Sequence, residues 1–77
     1  MSDYIIALTT WPDEDGAKAF ATQLLEKHLA ACINILPAMT SHYVWKGKVE
    51  SGTEHQLVIK TRKANQSALE QALKQSH

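Results

Sequence analysis

The chain has only one cysteine among its 77 residues, Cys32. A disulfide framework is therefore excluded, because a single thiol has no partner within the chain. A domain of this length buries only roughly 60% of the surface that its unfolded chain exposes, and it usually needs a disulfide, a metal or an oligomer for stability. We therefore expect a single domain over residues 1–77 that is stabilised by self-association or by a metal.

An excess of charge of one sign is also missing. Eight basic and eight acidic residues give a formal net charge of zero, and no basic stripe marks a surface for nucleic acid. No apolar run approaches the roughly 20 residues that a membrane-spanning helix needs. Residues 1–4 lack the basic region and cleavage site of a secretory signal. We expect a cytoplasmic protein that binds neither nucleic acid nor membrane.

The motifs of common enzyme classes are absent as well. The chain contains no glycine-rich phosphate loop, no G-x-S-x-G turn and no H-E-x-x-H helix. Three consecutive acids, Asp13, Glu14 and Asp15, fit the start of a helix, where negative charge stabilises the positive end of the helix dipole. The sequence therefore predicts a non-catalytic protein.

The first half of the chain reads as a strand followed by a helix. The nearly continuous apolar run over residues 4–10 predicts a central strand that is covered on more than one side, and Trp11-Pro12 ends it. Asp13 is a plausible cap for the helix that follows. The apolar stripe of this helix recurs at helical spacing and consists of Ala17, Phe20, Ala21, Leu24, Leu25 and His28.

The second half predicts a second strand in two parts, a returning strand and a helix. A buried strand over residues 32–36 is interrupted by Pro37, which indicates an edge or a bulge. Extended residues 41–45 lead through a glycine-centred turn to a returning strand, in which Gly52 is a second candidate for a bulge. A second helix begins near Asn65. The order is that of the ferredoxin-like β-α-β-β-α-β fold without its last strand, an α+β class in which two helices cover one face of an antiparallel sheet.

Four segments in this order resemble the sequence motifs of the CutA family of divalent-cation tolerance proteins. They are T-T-W-P-D-E at residues 9–14, L-A-A-C-I-N-I-L-P at 29–37, S-H-Y-V-W-K-G at 41–47 and I-K-T at 59–61. The resemblance covers essentially the whole chain. The last strand of the family has no counterpart within the 77 residues, which predicts a C-terminally incomplete domain.

The resemblance implies a ferredoxin-like protomer in a homotrimer of PII-like architecture, with long hairpins that pair edges between neighbouring subunits. It also implies a role in binding and tolerance of divalent cations, copper among them, and no settled catalytic activity. An alternative is a PII-like regulatory or scaffolding trimer. In that case the hairpins would engage a partner protein or a small ligand, and the protein would have no dedicated metal site.

The resemblance identifies His77 as the candidate metal ligand. Some bacterial members have two adjacent histidines after the second helix, and the matching positions here are Ser76 and His77. Some members also have a cysteine at the end of the first strand, where this chain has Thr9. The histidines at positions 28, 42, 55 and 77 show no short spacing typical of zinc ligands. His42 and His55 lie on strands joined by the hairpin. In one of the pairing registers open to these strands, the two histidines would face each other.

Cys32 lies between apolar neighbours and is predicted to be a buried structural residue. The alternatives are a soft ligand for Cu(I) and a reactive thiol.

The hairpin aromatic residues Tyr43 and Trp45 are predicted to lie in a subunit interface, with the wall of a ligand cleft as the alternative. Lys60 is assigned to a cleft between subunits, where it would bind an anion together with other cations of the strands and hairpin. The other cations are Arg62, Lys46 and Lys48. A simpler interpretation is that these charged side chains lie at solvated strand ends and bind no ligand.

Overall fold

The structure has the predicted order of strands and helices, except that the second strand, predicted in two parts, is divided into two separate strands, Cys32–Ile35 and Met39–Trp45. The computed structural model describes residues 3–76. A short 3-10 turn, Lys63–Asn65, precedes the second helix. This succession confirms the α+β ferredoxin-like pattern. The elements are β1 (Tyr4–Trp11), α1 (Glu14–Glu26), β2 (Cys32–Ile35), β3 (Met39–Trp45), β4 (Lys48–Arg62) and α2 (Gln66–Ser76).

The 15-residue strand β4 pairs antiparallel with all three other strands. Its inner part lies between β1 and β2, and its outer part pairs with β3. The prediction that residues 4–10 form a central strand is wrong, because β1 lies at one end of the sheet within residues 3–76. The apolar run arises instead because both sides of β1 carry apolar side chains, and only one of them packs under the helices.

Local capping explains where α1 begins and ends. The Asp13 carboxylate accepts a hydrogen bond from the Gly16 backbone N–H at 2.6 Å, as the acidic residues of the sequence predicted. The helix ends at Glu26, and Lys27 is its C-cap. His28 therefore lies beyond the helix, in a left-handed conformation with φ of 59°, and does not continue the apolar stripe.

Both helices cover the same face of the sheet, as predicted. Trp11 at the end of β1 stacks on Phe20 of α1, with ring centroids 4.7 Å apart. One cluster of buried side chains joins the two helices to alternate residues of β4. Its members are Ala17, Phe20, Leu24, Ala30, Leu57, Ile59 and Leu69.

The opposite face of the sheet is not covered by either helix and is called the open face below. Because successive side chains of a strand point to opposite faces, the burial of Leu57, Ile59 and Thr61 places the even-numbered residues of β4 on the open side. The open face includes Tyr4, Ile6, Leu8, Cys32, Asn34, Val58, Lys60 and Arg62.

Residues 39–54 form a two-stranded ribbon, called the arm, that extends beyond β1 and β2. Its turn has positive φ at Lys46 and Gly47 (53° and 78°), as a tight hairpin turn requires. The register shifts by one residue between the β2–β4 and β3–β4 pairings, from Ile35 opposite Leu57 to Met39 opposite Glu54. The bulge therefore lies at residues 37–38, as Pro37 indicated. Gly52 forms no bulge, because the β3–β4 pairing continues in register through it.

Thr61 is the buried polar residue of the core and connects three segments of the chain. Its hydroxyl donates a hydrogen bond to the Leu29 carbonyl at 2.7 Å. The Asn65 side-chain amide donates to the Thr61 hydroxyl at 3.2 Å and to the His28 carbonyl at 3.3 Å. These bonds hold the segment between α1 and β2 against the end of β4.

The variant Thr61→Val is expected to lower the free energy of unfolding by about 1–3 kcal/mol, because it leaves the Leu29 carbonyl without its donor while preserving side-chain shape. Urea denaturation followed by circular dichroism measures this change. Thr53→Val, at an exposed position of the arm, is the matched control and is expected to change stability by less than about 0.5 kcal/mol. Equal effects of the two substitutions would contradict the role assigned to Thr61.

Candidate functional site

The open face combines apolar and cationic side chains in two adjacent rows of the sheet. In one row Lys60 of β4 lies between Ile6 of β1 and Cys32 of β2, its direct cross-strand neighbours. In the next row Tyr4 lies opposite Arg62. Antiparallel neighbours on one face are close enough for their side chains to interact. The register thus forms one continuous surface from residues of three strands.

The apolar part of the open face is exposed in the single chain. The exposed fractions of Tyr4, Ile6 and Leu8 are 53%, 65% and 61%. A groove of about 440 Å³ is lined by Tyr4, Ile6, Ala31 and Lys60. Contiguous exposed apolar surface of this kind is typical of an interaction site.

The cations of the open face lack carboxylate partners in the described chain. Within residues 3–76 the ion pair is that of Lys18 with Glu14 on α1. Arg62 lies over the Tyr4 ring, 5.6 Å from its centroid, which is within the range of a cation–π contact. Lys60 is exposed beside the groove and is available to an anion from outside the chain.

Cys32 is exposed rather than buried, so the prediction of a buried cysteine is wrong for the single chain. The reason is the alternation of β2. Ile33 and Ile35 turn towards the helices and pack against the core, and the residues between them point the other way. Cys32 consequently lies on the open face opposite Lys60.

The arm exposes its aromatic and aliphatic residues. Tyr43 lies opposite Glu50 and Trp45 opposite Lys48, and both aromatic side chains are exposed. The Lys46 ammonium lies 5.9 Å from the Trp45 ring centroid. Val44 and Val49 form an exposed pair on the other side of the ribbon. A two-stranded ribbon is marginally stable by itself in water, so this exposed apolar surface favours contact with another chain.

The four cations proposed for an anion cleft are not together within one chain. Lys48 at the tip of the arm and Lys60 on the open face are both on β4. They are separated by twelve residues, or roughly 40 Å at about 3.3 Å per residue. Lys46 lies in the turn of the arm, beyond Lys48. Only Lys60 and Arg62 share the open face.

The candidate metal ligands show no assembled site in the described part of the chain. His77 lies outside the described residues. Thr9 is half-buried opposite Leu57 on the helix side of the sheet. Ser76 ends α2 and lines a shallow pocket of about 360 Å³ beside Trp11. Over residues 3–76 no group of three or more histidine, cysteine or acidic side chains is placed to hold a metal ion.

The two hairpin histidines do not face each other. His42 lies opposite Ser51, whereas His55 lies opposite Trp11, so four residues of β4, or roughly 13 Å, separate their positions. The His55 ring is held by a hydrogen bond between Nδ1 and the Leu36 carbonyl at 3.0 Å. Because a carbonyl only accepts, Nδ1 carries the proton and Nε2 has the free lone pair when the ring is neutral.

Sequence reasoning missed the part that β1 takes in the open face. The sequence predicts that β1 is buried on more than one side, and it hides the period-two signal because apolar residues occupy both faces of the strand. The register of β1 against β4 places Ile6 opposite Lys60 and Tyr4 opposite Arg62, and this pairing cannot be read from the sequence.

Neither α1 nor α2 is long and apolar enough to cross a membrane, and this holds for the part of the chain that the structure describes.

Comparisons with known proteins give one consistent family. The family model described as CutA1 divalent ion tolerance protein matches residues 5–77. The protein CutA homolog of Xenopus laevis is 46% identical over 71 residues, which cover 92% of this chain and 47% of the relative. The divalent-cation tolerance protein CutA of Pectobacterium atrosepticum is 43% identical over 77 residues, covering 100% of this chain and 70% of the relative.

Solved structures agree with this result. CutA from Synechococcus elongatus superposes with a TM-score of 0.94 at 35% identity, covering 100% of this chain and 68% of that one. CutA1 from Oryza sativa gives a TM-score of 0.93 at 37% identity, with coverages of 99% and 70%. A CutA from Archaeoglobus fulgidus, described as a periplasmic divalent cation tolerance protein, gives 0.89 at 35% identity, with coverages of 96% and 72%.

The chain spans about half the length of the Xenopus relative and 70% of the Pectobacterium relative. Within that span the family match extends over nearly every residue, and the fold superposes on family structures from a plant, bacteria and an archaeon. The chain belongs to the CutA1 family of divalent ion tolerance proteins.

Proposed function

We propose that this chain is a non-catalytic protein of divalent-cation tolerance that acts in the cytoplasm as a homotrimer, with copper as a candidate cation. The observation that carries the proposal is the family match over residues 5–77. The sequence contains none of the enzyme motifs considered above, which supports a role in binding rather than in catalysis. The cation, the assembly and the location are parts of the proposal that experiments can test separately.

Two features of the chain support a homotrimer. The open face exposes Tyr4, Ile6 and Leu8, and burial of such surface is the main driving force of association. Over residues 48–54, β4 pairs with β3 on one side only. An exposed strand edge of this kind is a template for a strand from another chain. A closed ring of three subunits would cover each open face and would give each arm a neighbour.

The proposed cation site depends on His77. Imidazole suits copper, whereas the hydroxyl of Thr9 is a harder and weaker ligand.

A second candidate function is a regulatory or scaffolding trimer of PII-like architecture that binds a partner protein. The exposed Tyr43 and Trp45 of the arm favour it, because aromatic residues are enriched in the centres of protein interfaces. In this case the Trp45→Ser variant would lose the partner in a pull-down from native extract and would keep its copper affinity.

The cytoplasmic location is proposed for this chain although the Archaeoglobus fulgidus relative is described as periplasmic. Fractionation of the native host cells, followed by an antibody against the chain, distinguishes the two locations.

The homotrimer predicts a mass of three times 8.6 kDa in size exclusion coupled to light scattering. The variant Ile6→Glu is expected to dissociate it, because a charge placed in a buried apolar interface loses its hydration. Leu25→Glu is the control, since Leu25 is a partly exposed apolar residue on the outer surface of α1. A trimer that survives Ile6→Glu unchanged would exclude the open face from the interface.

The cation proposal predicts tight copper binding that His77→Ala weakens by at least about tenfold, since loss of a direct imidazole ligand costs at least as much as the 10–100-fold loss typical of removing a supporting group. Isothermal titration calorimetry with Cu(II) measures the affinity. His42→Ala, which removes an exposed histidine of the arm, is the matched control and is expected to leave the affinity unchanged. Weak binding that is the same in all three proteins would rule out a site at His77.

A further inference from the structure

Two adjoining depressions lie at the end of the sheet opposite to the arm, where β1 begins and β4 ends. The first is the apolar groove of about 440 Å³, lined by Tyr4, Ile6, Ala31 and Lys60. The second has a volume of about 250 Å³, shares Ala31 with the groove and is lined mainly by polar side chains, Arg62 among them. The groove is within the size range of small-molecule sites. An apolar surface therefore continues directly into a polar one.

Two cations, Lys60 and Arg62, line the two depressions. They are two residues apart on the same side of β4, so their backbone positions are roughly 7 Å apart. The Arg62 guanidinium lies over the Tyr4 ring, 5.6 Å from its centroid, and a guanidinium held over a ring keeps N–H groups available along its edge. Lys60 is exposed. A single carboxylate between the two side chains can accept charge-assisted hydrogen bonds from both.

No carboxylate within residues 3–76 neutralises these two cations. The ion pair of this part of the chain joins Lys18 and Glu14 on α1. Asp3 precedes β1 at the same end of the sheet, but it forms no ion pair with Arg62 or Lys60. The uncompensated positive charge beside apolar surface is complementary to a ligand that has an anionic head and an apolar body.

We propose that this end of the open face binds a small amphipathic carboxylate of the medium-chain fatty acid class. The carboxylate lies between Lys60 and Arg62, and the hydrocarbon chain lies in the groove against Tyr4 and Ile6. A small inorganic anion would leave the groove empty, and a neutral apolar ligand would leave both cations unpaired. The inference goes beyond the proposed function, and it does not depend on the homotrimer because all four residues belong to one chain.

Isothermal titration calorimetry with octanoate tests the site, and octylammonium is the control ligand with the same chain and the opposite charge. Octanoate is expected to bind at least about tenfold more tightly than octylammonium, because like charges repel at the head of the groove. Hexanoate is expected to bind at least about fivefold more weakly than octanoate, because each CH₂ group that is buried strengthens binding by about fourfold.

Substitutions of the two cations locate the carboxylate. Lys60→Gln and Arg62→Gln are each expected to weaken octanoate binding by at least about fivefold, since each removes a charged hydrogen-bond donor. Lys60→Arg keeps the charge and is expected to stay within about threefold of the unchanged chain. Lys74→Gln removes an exposed cation of α2, away from the open face, and is expected to have no effect. Circular dichroism verifies that every variant keeps the fold.

Three results would overturn the proposal. Equal affinities for octanoate and octylammonium would exclude recognition of the carboxylate, and equal affinities for octanoate and hexanoate would exclude the groove. Octanoate binding that is the same in Lys60→Gln, Arg62→Gln and the unchanged chain would place the ligand elsewhere. Light scattering of the same samples tests the homotrimer separately. A trimer without octanoate binding would overturn the site alone, and a monomer that binds octanoate would overturn the homotrimer alone.

Discussion

The structure depends on the pairing of one long strand with three others. β4 joins β1 on one side and β2 and β3 on the other, so its backbone hydrogen bonds hold together elements from the whole chain. The alternation of its side chains also determines which residues face each side of the sheet. Leu57, Ile59 and Thr61 are buried under the helices, and every residue between them is consequently turned to the open face.

This constraint explains how a chain of 77 residues has a small core together with extensive exposed apolar surface. The buried cluster fills the space between the helices and one face of the sheet. The opposite face and the arm have no cover within residues 3–76. A domain that buries so limited a share of its surface gains stability from association. The surfaces available for association are the open face and the arm, and β4 contributes residues to both.

Much of the fold was predictable from the sequence, and the candidate site was predictable only in part. The amphipathic stripe from Ala17 to Leu24, the cap at Asp13 and the turn at Gly47 are local signals, and each one agrees with the structure. Tyr43 and Trp45 were assigned to a contact surface, and their exposure is compatible with it. The burial of Cys32 was wrong, because an apolar neighbourhood in sequence does not say which face of a strand a side chain occupies.

The sequence by itself determined the general order of strands and helices, the start of α1 and the family, because these follow from periodicity, capping and motifs within short segments. Only the tertiary structure decided that β1 lies at one end of the sheet within residues 3–76, that Lys60 lies between Ile6 and Cys32, and that Cys32 is exposed on the open face. These arrangements depend on strand register. A shift of one residue would move every side chain to the other face, and that choice is made by the packing of distant segments.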